Sequence, residues 1–273
     1  MTNAREWNAA EYHRLANPHV GWGRSVLARL PLKGDETVID AGCGSGRLTA
    51  DLLDLLPDGR VIAVDQSANM LKQARQHLNP QAPGRVIYLQ ADLQELVVDE
   101  QVDAIFSTAA LHWVLDHQRM FDYFYRALKP GGWLVAQCGG GPNIASLLVQ
   151  AATLMGSDDL APHFNGWDGP WEFARPDETG ARLQRSGFVS IETRLEEAPV
   201  TLANAAEYRD YLETVVFGIH LSRIPERSLQ QAFLDRLTEQ SAADARPFFL
   251  DYWRLNIQAR RPEEQGSTWR HTT

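Results

Sequence analysis

The chain of 273 residues is poor in cysteine, with only Cys43 and Cys138. A disulfide framework or a cysteine-rich metal site is therefore excluded, and the count fits a reducing, cytoplasmic setting. Positive charge is also in short supply. The formal net charge is -9, the wrong sign for a protein that works by neutralising phosphates, so no general nucleic-acid partner is expected. No apolar run is long enough to span a bilayer. The stretch from Pro130 to Ser157 lacks Asp, Glu, Lys and Arg, but Gly139, Gly140, Gly141 and Pro142 divide it into two short halves. The opening MTNAREWNAAEYHRLANPHVGW has no apolar core of signal-peptide type. Eight histidines are present without HExxH or a comparable spacing, so no metal is expected.

What is present is an ordinary globular balance, with 44% hydrophobic and 22% charged residues. Five short apolar runs punctuate the first half: TVIDAG (37–42), VIAVD (61–65), VIYLQ (86–90), DAIFST (103–108) and WLVAQC (133–138). Continuous rather than alternating hydrophobicity marks strands covered on both faces, as in a parallel sheet. Helical stretches lie between them: Leu48–Leu56, a segment from Ser67 to Leu78 stopped by Pro80, and Asp116–Leu128. Repeated β-α-β units predict a doubly wound α/β sheet. Beyond Gly141, residues 156–176 read as a loop or lid and Pro176–Ser186 as a helix ended by Gly187. Phe188–Arg194 reads as a strand, 204–218 and 225–240 as helices, and Phe248–Arg260 as a final strand. One domain is expected over 1–273: a helical cap at 1–33, a core at 34–140, a variable region at 141–247, the last strand at 248–260 and a polar tail at 261–273.

The chemistry concentrates in VIDAGCGSGRLT, residues 38–49. Gly42, Gly44 and Gly46 fall between a strand and a helix, where glycines let a ligand approach the backbone and leave amides facing it. A dinucleotide fingerprint would need glycine where Arg47 stands, and no Gly-Lys-Ser/Thr of a phosphate loop follows. Asp40 would repel a pyrophosphate but attract the ammonium of a methionine moiety. Asp65 closes the second strand, 19 residues after Gly46. An acid there accepts ribose hydroxyls or, alternatively, stabilises a helix N-terminus. Asp92 follows the third strand and can accept an adenine amino group or cap the next short helix.

This constellation resembles the class I S-adenosylmethionine (SAM)-dependent methyltransferases. The segments WNAAEY (7–12), FSTAALHWV (106–114) and LKPGGWLVA (128–136) are similar to those of the trans-aconitate and malonyl-acyl-carrier-protein methyltransferase types. The match is close over about 34–140 and loose in the C-terminal third. The resemblance implies a Rossmann-like seven-stranded sheet of order 3-2-1-4-5-7-6 with an antiparallel last strand. It implies S-adenosyl-L-methionine as cofactor, with Asp40 and the Gly42–Gly46 turn at the methionine part, Asp65 at the ribose, Asp92 with Leu93 at the adenine, Ser107 and Thr108 near the methionine ammonium, and Gln66 also among the cofactor-binding residues. His112 and Trp113 would sit near the transferred methyl, and Trp7 and Tyr12 on an N-terminal helix closing over the site. His112 is either a general base or a packing and orienting group. Arg175, Arg223 and Arg254 are candidates for an acceptor carboxylate, with ordinary surface arginines the alternative.

The expected activity is methyl transfer to a small-molecule acceptor at a carboxylate oxygen, without nucleic-acid or membrane partners. The alternatives are methylation of a carbon or hydroxyl of a quinone, polyketide or similar metabolite with His112 as base, and a non-catalytic SAM-binding module. A nicotinamide-dependent oxidoreductase ranks last, because of Asp40 and Arg47.

Overall fold

A computed structural model describes residues 17–264. Strands and helices alternate as the apolar runs require: α1 (Asn17–Leu27), β1 (Thr37–Ala41), α2 (Arg47–Asp54), β2 (Arg60–Asp65), α3 (Ala68–Leu78), β3 (Val86–Gln90), β4 (Val102–Thr108), α4 (His117–Ala127) and β5 (Leu128–Gly139). Then come α5 (Ala145–Met155), α6 (Ala161–Phe164), α7 (Pro176–Ser186), β6 (Val189–Glu197), β7 (Val200–Thr201), α8 (Ala205–Tyr211), α9 (Gly218–Ser222), α10 (Arg227–Ala243), β8 (Phe249–Leu250) and β9 (Trp253–Arg260). Seven strands form one sheet in the order β3-β2-β1-β4-β5-β9-β6. Numbered within the sheet, this is the expected 3-2-1-4-5-7-6. The pairs from β3 to β5 are parallel, and β9 runs antiparallel to both β5 and β6.

Alternation of side chains along each strand fills two cores. Ile39, Ala41, Ile62, Val64 and Ile105 pack on one face with Phe121 and Phe124 of α4. Val38, Val61, Ala104 and Phe106 pack on the other with Val26 of α1, Leu52 of α2 and Leu78 of α3. Covering both faces is what a parallel sheet demands, and it explains the uninterrupted apolar runs. A third apolar cluster lies outside the sheet. It joins Leu147, Tyr208, Tyr211, Phe217, Phe233 and Leu237 from the helices between β5 and β9. Among the described residues no helix is long and apolar enough to cross a membrane.

Two elements differ from their sequence reading. The helix expected over 204–218 is interrupted by a π-type turn at Leu212–Val216, closed by Phe217 N–H donating to Leu212 O at 2.7 Å. The strand expected over 248–260 is split. Its first part, β8, pairs with β7 in a separate ladder. At the break, Asp251 is drawn to the start of α5: its carbonyl accepts from Ile144 N, and its carboxylate accepts from Ser146 N and Oγ. Residues 156–176, expected as loop, include the single helical turn α6.

Phe121 is fully buried between α4 and the sheet. Phe121→Ala should cost about 3–5 kcal/mol of stability, the range for removing a buried aromatic ring, read from urea denaturation.

Candidate active site

The parallel strands deliver their ends, and hence the predicted ligand residues, to one edge. Asp40, next to last in β1, is 2% exposed and accepts from Thr49 Oγ1 on α2 at 2.6 Å. Burial in this apolar wall pushes its carboxyl pKa up to about 7; the Thr49 hydrogen bond opposes the rise and the charge of Asp65 adds to it. The turn after β1 holds Gly42, Gly44 and Gly46 at positive φ (83°, 55° and 83°). At Gly42 the need is also steric, since an added Cβ would lie 2.2 Å from that of Ala110. At Gly44 an added Cβ meets nothing within 4 Å, so the turn is open there.

Asp65, the last residue of β2, clasps this turn. Its Oδ2 accepts from Gly44 N and its Oδ1 from Ser67 N, both at 2.9 Å. Asp92 follows β3 and accepts from Gln94 N at 2.9 Å, capping the short turn Leu93–Glu95; Leu93 is buried beneath it. Gln66 Nε2 reaches Asp92 Oδ2 at 3.5 Å, linking the β2 and β3 ends. Ser107, at the end of β4, is buried with Oγ donating to Ala41 O at 2.6 Å, and Thr108 is half-buried beside it. The ten predicted cofactor residues therefore lie at the ends of four neighbouring strands. Trp7 and Tyr12 lie outside the described residues.

Beside this edge opens a small cleft. His112 and Trp113 line it, from the turn Leu111–Trp113 after β4. The turn is fixed from below by buried His117, whose ring contacts Leu111 O at 2.9 Å and Arg182 at 3.3 Å. Burial lowers the His117 pKa, which favours the neutral ring. His112 Nδ1 accepts a hydrogen bond from Gly139 N at 3.3 Å. A ring nitrogen that accepts carries no proton, so the neutral ring holds its hydrogen on Nε2. His112 O accepts from Glu172 N at 2.9 Å, which ties the aromatic segment 171–173 to this turn. Trp171 and Phe173 stack at 5.6 Å, Phe173 stacks on His112 at 5.8 Å, and Trp113 lies 5.5 Å from Trp171.

Of the three candidate arginines, the cleft takes one. Arg175 has a 69% exposed side chain paired with Asp177. Arg223 donates to His163 O and lies over the Trp167 ring. Arg254, near the start of β9, lines the cleft and is 2% exposed. Its Nε donates to Gln137 Oε1 at 3.4 Å, and its guanidinium lies 4.7 Å from the centre of the Trp22 ring. Gln137 is held in that orientation because its amide nitrogen donates to Asn256 Oδ1 at 3.0 Å.

Sequence reasoning missed the rest of the lining. Asn143 and Ile144 follow the glycine run, Ile144 at φ 49°, a left-handed conformation rare for a β-branched residue. Val215 and Val216 enter from the π-type turn, a distortion that often accompanies function but leaves no mark in hydrophobic periodicity. Trp171, Phe173 and Tyr252 complete the wall. The clustering of aromatics at 164–173 is the one local signal that could have found part of it.

The raised Asp40 pKa sets a sign for stability. Between the usual carboxylate pKa, near 4, and about 7, the folded chain holds a proton that the unfolded chain has lost, so this group makes stability fall as pH rises through that window. Asp40→Asn keeps an acceptor for Thr49 without the charge. The variant should melt higher than the parent at pH 8, by roughly 2–4 °C per kcal/mol recovered, and the gap should close towards pH 5. Parallel thermal melts across pH measure this.

Residues 39–136 match the family model described as a methyltransferase domain. A trans-aconitate 2-methyltransferase of Deinococcus radiodurans is 29% identical over 265 residues, which cover 95% of this chain and 93% of that protein. One from Azoarcus sp. is 41% identical over 131 residues, but that match spans 48% of this chain and half of the relative. A solved structure of Haemonchus contortus phosphoethanolamine N-methyltransferase 2 with S-adenosyl-L-methionine superposes at a TM-score of 0.60 with 19% identity, over 93% of this chain and 57% of that one. That likeness is one of fold. Family match, strand order and glycine turn agree that residues 39–136 carry a methyltransferase domain of Rossmann-like architecture.

Proposed function

We propose that the protein transfers a methyl group from S-adenosyl-L-methionine to a carboxylate oxygen of a small molecule. The observation that carries this reading is a buried cation, Arg254, in the same cleft as a histidine whose Nδ1 is already engaged by Gly139.

The residues fit the cofactor. A carboxyl buried as deeply as Asp40, with its pKa raised by desolvation, is short of positive charge. An ammonium delivered beside it would restore the ionised form. Asp65 and Asp92 carry carboxylates at the next two strand ends, acceptors by chemistry for ribose hydroxyls and an exocyclic amine. When bound, SAM supplies an electrophilic methyl on a sulfonium, open to in-line attack by a nucleophilic oxygen.

The chain's own contribution is orientation. Arg254 attracts and holds a carboxylate, which is ionised at neutral pH and needs no base. His112 Nε2–H is a donor and can hydrogen-bond the same group. To act as a base through Nε2, the ring would first have to move its proton to Nδ1 and break the Gly139 contact. This disfavours the carbon or hydroxyl alternative, in which His112 removes a proton. The aromatic and valine walls exclude water and limit the pose, so proximity and alignment account for the rate. The relatives named for trans-aconitate, an acid, agree in substrate chemistry.

Asp65→Ala should weaken SAM binding roughly ten- to a hundredfold, the loss of a charge-assisted pair of hydrogen bonds. Calorimetry on the variant, with a thermal melt to confirm folding, measures it. Unchanged affinity in a folded variant removes the ribose assignment.

His112→Gln keeps a donor of similar reach but cannot serve as a base. At saturating SAM it should retain the rate within about tenfold, and the parent rate should show no rise across roughly pH 6–8. A loss of about a hundredfold or more, with a rate rising through that range, would show base catalysis and overturn the carboxylate reading.

A further inference from the structure

We infer that Arg182 is a positioning residue for methyl transfer: its guanidinium, carried on α7, locks the Leu111–Trp113 turn and the segment 171–173, two walls of the cleft, into a single unit. This rests on the cleft receiving the acceptor, as read above, and concerns how its walls are held. Arg182 Nη2 donates to Glu172 Oε1 at 2.9 Å, and its Nη1 lies 3.3 Å from His117 Nδ1. His117 Nε2 in turn lies 2.9 Å from Leu111 O, and Glu172 N donates to His112 O at 2.9 Å. These contacts close a ring. It runs from the turn through His117, Arg182 and Glu172 back to the turn, and Arg182 is the member that reaches both sides.

The ring is chemically consistent with a neutral histidine. Leu111 O only accepts, so Nε2 carries the hydrogen; a guanidinium only donates, so Nδ1 accepts from it. Burial and the charge of Arg182 lower the His117 pKa and favour this form, while the Leu111 hydrogen bond and the charges of Glu172 and Asp116 oppose the fall. The base of the arm is fixed separately. Ser186 Oγ of α7 donates to Asp122 Oδ1 of α4 at 2.6 Å, and Gln118 Nε2 of α4 donates to the same Oδ1 at 3.0 Å and to Arg182 O at 3.3 Å. The Arg182 and Glu172 side chains are 23% and 32% exposed, so solvent ions screen the pair less than an open surface pair. What the ring holds in register is the lining itself: Phe173 stacks on His112 at 5.8 Å, and Trp113 lies 5.5 Å from Trp171. A displacement of about 1 Å in such a wall can cost on the order of a hundredfold in rate.

The test uses the full chain with Arg182→Met, Arg182→Lys, Glu172→Ala, Glu172→Gln and the double variant Arg182→Met/Glu172→Ala, each checked for folding by thermal melt. The first readout is hydrogen exchange of the Glu172 amide with SAM bound. Arg182→Met should speed it at least about tenfold and leave the amides of the Gly42–Gly46 turn within about twofold. Unchanged exchange at Glu172 overturns the inference. The second readout is S-adenosylhomocysteine release at saturating SAM with trans-aconitate, an acid, and catechol, a phenol, using whichever the parent methylates. In Arg182→Met and Glu172→Ala, kcat/KM for that acceptor should fall about tenfold or more, with SAM affinity by calorimetry within about twofold. Arg182→Lys should not recover the rate, because one ammonium replaces a fork that reaches two partners. Glu172→Gln keeps the acceptor oxygen and should stay within about threefold of the parent. The double variant should lie within about twofold of the weaker single variant, since both break one ring. Losses that multiply in the double variant, a parent-like Arg182→Lys, or SAM affinity falling in step with turnover overturn the positioning role. Turnover of catechol alone removes the carboxylate reading and leaves both readouts to decide this inference; if neither probe is methylated, the carboxylate reading loses its support and the exchange readout decides.

Discussion

The double pairing of β5 is the constraint on which the site depends. On one side β5 is parallel to β4, and on the other it is antiparallel to β9. Parallel strands bring only their last residues to the ligand edge. An antiparallel strand brings its first. Arg254, the second residue of β9, therefore stands at the same edge as Gly139, the last residue of β5. Were β9 parallel, its start would lie at the opposite edge of the sheet, about six residues and some 20 Å away. The reversal of one strand thus joins the half of the molecule that presents acidic strand ends to the half that presents a cation.

The two halves divide the electrostatic work. On the cofactor side, a buried carboxyl waits in apolar surroundings that raise its pKa, a standing cost in the free protein that a cationic ligand offsets. On the other side of the cleft, the buried Arg254 guanidinium is steadied by Gln137 and the ring of Trp22. Their polarities are opposite, a buried acid on one side and a buried guanidinium on the other. Net charge hides this arrangement. A chain with formal charge -9 keeps its acids mostly at the surface, while Arg254 is buried in the cleft.

The sheet and the gathering of its predicted ligand residues at one edge were legible in the sequence because their signals are local. The strand, glycine turn and helix of residues 37–54 are contiguous, and each acid at 40, 65 and 92 sits within two residues of the end of its own strand. The sheet order came with the resemblance, whose motifs fall in this same stretch. The acceptor cleft is built differently. His112, Ile144, Trp171, Val216 and Arg254 come from five segments spread over more than half the chain. No periodicity brackets them together. Two of the segments depend on departures from regular structure: the π-type turn that presents Val215 and Val216, and the break between β8 and β9 forced by Asp251 capping α5.

His112 shows most sharply where local reading ends. In the sequence it is a histidine after a strand, equally suited to removing a proton or to orienting a neighbour. The choice turns on which ring nitrogen carries hydrogen, and that is set by the amide of Gly139, 27 residues away. The amide can reach the ring because position 139 is glycine: an added Cβ would lie 2.8 Å from both Asn143 Nδ2 and Phe173 Cε1. One missing side chain on β5 thus allows the aromatic wall to close in, leaves the backbone amide facing the imidazole, and fixes the tautomer with its proton on Nε2. The same close approach leaves Arg254 opposite. A glycine that read as the end of a strand therefore engages Nδ1 of His112 and stands opposite the buried Arg254 in the ladder.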